Sequence, residues 1–112
     1  MTDYVLASGV HTAKFTYTPP ASYVGLSLNM DFYLSLSPTG ATKDIDAGSQ
    51  NFVAAAAGNS FTVSVTIPST PNNYHAYVTI DDGTQFLVGF ADTADNVLVA
   101  GGGTIGPISW TT

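Results

Sequence analysis

From Leu26 to Leu36, apolar and polar residues alternate without a break. Leu26, Leu28, Met30, Phe32, Leu34 and Leu36 fall on one face, and Ser27, Asn29, Asp31, Tyr33 and Ser35 on the other. Successive side chains of a strand point to opposite faces, so an unbroken period of two over 26–36 defines a β-strand with one face buried. A helix would scatter the same apolar side chains around its circumference. A single open sheet would leave that face as a long apolar patch in water, so a second layer must cover it.

The same pattern recurs along the chain. Phe61, Val63, Val65 and Ile67 alternate with Thr62, Ser64 and Thr66, and Tyr74, Ala76, Val78 and Ile80 with His75, Tyr77 and Thr79. Phe86, Val88 and Phe90 form a further run, and shorter candidates lie at 14–18, 51–55, 96–100 and 105–111. Asp81-Asp82-Gly83 separates two of these runs, and Asp-Gly suits a tight hairpin turn because such turns need residues at positive φ. Ser37-Pro38-Thr39-Gly40 predicts another turn, with proline pre-setting φ. The Ala54–Ala57 run is too short for an independent helix and is taken as a strand end plus loop. Trp110 is expected to pack at a core edge. The fold class that follows is all-β: a two-sheet antiparallel β-sandwich of seven to eight strands with Greek-key connections. The 112 residues fit a single domain, 1–112, with 1–12 as a leading segment that forms an arm or an edge strand.

Charge is sparse and one-sided in type. All eight acidic residues are aspartate, glutamate and arginine are absent, and Lys14 and Lys43 are the two cations. Glutamate and arginine favour helices, whereas aspartate bonds to nearby backbone and favours turns. Most aspartates fall between the strand runs, at Asp44 and Asp46, Asp81 and Asp82, and Asp92 and Asp95. Polarity is carried instead by 15 threonines and 10 serines. A net charge of −6 argues against a nucleic-acid partner, since nothing here neutralises a phosphate backbone. No apolar stretch approaches the roughly 18 residues of a membrane helix. The absence of cysteine excludes disulfides and thiolate chemistry. The first residues carry no basic region and no apolar stretch of the kind that directs secretion.

Few constellations suggest chemistry. His11 and His75 have no Gly-x-Ser-x-Gly elbow to serve, and two histidines 64 positions apart do not define a zinc site. Paired aspartates could in principle serve glycoside hydrolysis, but their place in turns is already explained by backbone bonding. Calcium is the more serious metal alternative, because Asp44-Ile-Asp46-Ala-Gly48, Asp81-Asp82-Gly83 and Asp92-Thr-Ala-Asp95-Asn96 are oxygen-rich. None of them matches the twelve-residue loop that ends in glutamate, so the expectation is no cofactor. The Gly101–Gly103 run lacks the lysine and following helix of a phosphate cradle. Tyr33, His75 and Tyr77 alternate away from the core and form the candidate interaction face; as a carbohydrate site it would need both tyrosine rings coplanar and exposed.

The order of elements resembles the immunoglobulin-like sandwich modules of bacterial and archaeal surface proteins and phage virions. The resemblance rests on Phe15-Thr-Tyr-Thr-Pro-Pro20, the run 26–36, Gly58–Pro68, the Tyr74–Phe90 hairpin and Ile105-Gly-Pro-Ile-Ser-Trp110. It covers most of the chain as a pattern, without the Cys…Trp…Cys framework of antibody domains. It implies adhesion, spacing or assembly rather than catalysis, and it carries over no functional residue. The expected function is therefore a non-enzymatic structural or interaction module with protein partners, self-assembling or part of a larger assembly. The expected setting is the virion surface or the cell exterior, with a carbohydrate-binding module as the alternative.

Overall fold

The computed structural model describes residues 5–37, 41–83, 86–91, 97–98, 103–106 and 108–111. These form nine strands: β1 (Gly9–Thr18), β2 (Ser27–Ser35), β3 (Ile45–Val53), β4 (Asn59–Ile67), β5 (His75–Asp81), β6 (Phe86–Ala91), β7 (Val97–Leu98), β8 (Thr104–Ile105) and β9 (Ser109–Trp110). One turn of 3-10 helix at Ala21–Tyr23 joins β1 to β2. All pairings are antiparallel, in two sheets. One sheet runs β4-β1-β8, with β9 also on β1; the other runs β3-β2-β5-β6-β7. The chain changes sheet four times, and two of these crossings interlock. It passes from β1 to β2 and later from β4 to β5, and β1 pairs β4 while β2 pairs β5.

The sandwich interior is filled by the alternating residues. Leu28, Met30, Phe32 and Leu34 of β2 face Phe15 and Tyr17 of β1 and Phe61, Val63 and Val65 of β4, all buried. Aromatic rings link the two sheets in series. Tyr17 meets Phe52 edge-on, Phe52 meets Phe61 edge-on at 5.0 Å, Phe61 stacks on Phe15 at 5.4 Å, and Phe15 stacks on Phe32 at 5.7 Å. Trp110 closes the row edge-on against Phe32, the core-edge position expected for it. Offset and edge-to-face contacts satisfy the ring quadrupoles and add to area burial. Burial, with the nearby Tyr23 hydroxyl adding to it, pushes the Tyr17 phenol up to about 12.

Several boundaries differ from the sequence expectation. Strand β1 starts at Gly9, so residues 9–12 belong to the sheet and not to a leading segment. The inward position there is His11, too polar to show as a periodic apolar signal, and the next one along, Ala13, is too small. The third strand starts at Ile45 and not near Asn51, because Asp46 through Asn51 carry no apolar alternation. A bulge lies there as well: Asp31 pairs Ser49 and Tyr33 pairs Asp46, so Ala47 and Gly48 together oppose Phe32. Gly48 adopts φ +90°, the left-handed conformation that such a bulge requires and that glycine takes without steric cost. The expected last strand over 105–111 is divided into β8 and β9. The hairpin at Asp81-Asp82-Gly83 forms, but Asp81 pairs Phe86 with a register shift, so its loop is wider than a two-residue turn. Ala54 to Ala57 form a loop, as expected. Residues 38–40 of the turn expected at Ser37-Pro38-Thr39-Gly40, the Asp92–Asn96 loop and Gly101 and Gly102 lie outside the described residues.

Candidate functional site

The alternation of β2 and β5 sends Tyr33 and Tyr77 to the outer face of the five-stranded sheet. The register pairs them directly, Tyr33 opposite Tyr77, with Ser35 opposite His75 in the next row. Directly paired side chains on one face lie close enough to touch, and the two rings stack at 5.5 Å with planes 14° apart. They are 8% and 7% exposed and form a small cluster separate from the main core. Lys43 places its Nζ 5.3 Å from the centre of the Tyr33 ring. Burial raises both phenols above their ordinary value, with Asp31 adding to the effect at Tyr33 and Tyr33 adding to it at Tyr77. His75 is half-buried on this face. The three candidate residues are therefore neighbours. The tyrosines, however, stack on each other instead of lying open side by side, so the exposed flat platform expected of a sugar site is not what this arrangement offers.

The described aspartates are engaged by the chain itself. Asp44 accepts from the Leu36 N–H at 2.7 Å and from the Thr42 hydroxyl at 2.6 Å, which hold its carboxyl below the usual range, the backbone donor contributing most. Asp46 accepts from the Gly48 N–H at 2.8 Å, and Asp81 from the Gly83 N–H at 2.9 Å. Both are Asp-x-Gly turns with the glycine at positive φ, the local geometry in which an Asp side chain substitutes for a backbone acceptor. Asn29 donates one amide group to both Asp31 and Asp81, at 3.4 and 3.2 Å. Among the described residues no three metal-ligating side chains gather into a group. His11 also has a local role. Its Nδ1 lies 2.9 Å from the Thr111 carbonyl and its Nε2 2.7 Å from the Ala7 carbonyl, so the ring ties β1 to segments from both ends of the chain.

The feature that sequence reasoning missed is an edge. Strand β4 pairs with β1 alone among the described residues. The direction of its backbone groups follows from β1. Thr12 donates its N–H to Thr111 Oγ1, and the Thr12 and Thr16 carbonyls accept from Thr111 and Gly106. The even-numbered residues of β1 therefore bond towards β8 and β9, and the odd ones towards β4. With His11 opposite Val65, Ala13 opposite Val63 and Phe15 opposite Phe61, the N–H and C=O groups of Ser60, Thr62, Ser64 and Thr66 point to the open side. Their side chains are exposed on the outer face, in rows with Thr12, Lys14 and Thr16 of β1. The sequence does contain the signal, an uncharged nine-residue alternation, but only the sheet order reveals that this strand is an edge.

No protein-family model, curated protein or solved structure matches the chain.

Proposed function

We propose that this chain is a non-enzymatic structural module that acts through protein–protein contact, in repeated assembly or adhesion at a virion or cell surface. The observation that carries the reading is β4: a full-length strand with no charge and no bulge, whose outward backbone groups meet no partner strand among the described residues. Such an edge is a template for strand addition, and its Ser/Thr outer face is flat and uncharged enough to lie against another surface. The occupied carboxylates of Asp44, Asp46 and Asp81 support the same reading, since they serve turns and the start of β3.

Size-exclusion chromatography with light scattering at micromolar concentration tests it, alongside gel retardation in soluble polysaccharides. A defined multimer that no polysaccharide retards is the expected result. Retardation that disappears in Tyr77→Ala would replace this reading with the carbohydrate one.

A further inference from the structure

We propose that the partner of β4 is a second copy of β4, paired antiparallel about a two-fold axis with Ser64 opposite its own counterpart. The inference rests on the assembly reading above and names its contact. The sequence Phe61-Thr-Val-Ser-Val-Thr-Ile67 reads nearly the same in both directions about Ser64, differing only in which large apolar residue stands at each end. An antiparallel pair centred there sets Thr62 opposite Thr66 of the other copy and Val63 opposite Val65. From 61 to 67 each side chain then meets one of its own kind, and no charge meets a charge.

The backbone fits the same register. Ser64 and Thr62 and Thr66 on either side of it are the residues that direct N–H and C=O outwards. Centring on Ser64 therefore makes all three closely bonded pairs, with about six hydrogen bonds in the new ladder. Pro68, opposite Ser60 in this register, has no N–H to give, so the ladder ends there. A two-fold axis perpendicular to the sheet keeps both hydroxyl-bearing faces on one side and both apolar faces on the other. The copies thus continue one sheet without turning a core face to water. Such a contact is isologous and closes at two copies. Strand β3, which leads into β4, is bulged at Ala47 and Gly48 and offers no regular ladder to compete.

Four substitutions at the open edge test this, two by light scattering and sedimentation and two by cross-linking. Ser64→Pro removes an outward N–H that β1 does not use, so the fold is retained while the new ladder is broken. Its dimer dissociation constant is expected to rise about 100-fold or more, with the far-UV circular dichroism of the wild type. Should proline perturb the strand, Ser64→Lys gives the same loss of association by setting two like charges face to face. Ser64→Cys supplies the register, because opposed residues of a bonded pair lie about 5.5 Å apart, within disulfide range. It is expected to cross-link to a dimer on mild oxidation far faster than Thr66→Cys. A wild-type multimer that survives both Ser64→Pro and Ser64→Lys overturns β4 pairing and leaves the assembly reading standing. A wild type that stays monomeric throughout overturns both. Equal cross-linking at positions 64 and 66 overturns the register.

Discussion

Strands β3 and β4 are consecutive, each nine residues long, and each forms one edge of a different sheet. They treat that position in opposite ways. Strand β3 carries Asp46, a bulge over Ala47 and Gly48, and a glycine at φ +90°, features that bend an edge and deny a regular ladder to an incoming strand. Strand β4 has none of them. Strands β8 and β9, which flank β1 on the side away from β4, are only two residues long, which limits pairing in another way. The fold blunts one long edge and leaves the other regular and uncharged, and the open edge is the one we propose as a contact surface.

The comparison breaks most visibly at the inner faces. Phe61 of β4 is buried between Phe15 and Phe52, so Phe61→Ala should cost about 3–5 kcal/mol in urea unfolding. Phe52 of β3 is only partly buried, and Phe52→Ala should cost about 2 kcal/mol. Equal losses would show that β3 contributes as much to the core as β4, and that only their outer edges differ. Next in size is Gly48→Ala. A Cβ there meets nothing within 4 Å, so the cost is conformational, about 1–2 kcal/mol. A neutral result would mean that the bulge straightens, and such a variant should also begin to associate through β3.

Asp44 sharpens the comparison at the entry to β3. Its carboxyl is held below the ordinary value by the Leu36 N–H and the Thr42 hydroxyl. A lowered folded value means that the stabilisation is present above the unfolded pKa, near 4, and is lost as pH falls through the folded one. Asp44→Asn should therefore lower the urea midpoint at neutral pH, and the gap from wild type should narrow as pH drops below about 4. A gap independent of pH would show that the carboxylate's charge is not what anchors the loop. The smallest effect belongs to the outer face of β4. The Thr16–Ser60 hydroxyl contact is long, 3.4 Å, and exposed, so Ser60→Ala should change stability by less than about 0.5 kcal/mol.

Much of the fold was legible because the strands that fill the core advertise it. Leu28 to Leu34 and Phe61 to Val65 alternate cleanly, and alternation is what burial of one face demands. The halves of strands that do little burying were not legible. His11 in β1 bonds to carbonyls instead of filling space, and the polar stretch of β3 interrupts its own period with a bulge. The candidate face was half legible. Alternation put Tyr33 and Tyr77 outside the core, but their stacking depends on β2 pairing with β5 across intervening chain, and local sequence carries no record of register. The open edge depended on sheet order in the same way.

The pairing of β1 with β8 and β9 has a consequence for how the molecule comes into being. His11 and Thr111, joined by a hydrogen bond, stand 100 positions apart. Strand β1 is made well before β8 and β9, and the flank it turns to them stays unsatisfied until they emerge. Contacts of such long sequence separation carry their loop-closure cost before they return any stabilisation, so folding should be slow and should finish only once β9 is available. During that wait the chain exposes two bare flanks of the same sheet, and nascent chains on neighbouring ribosomes are the strands nearest at hand.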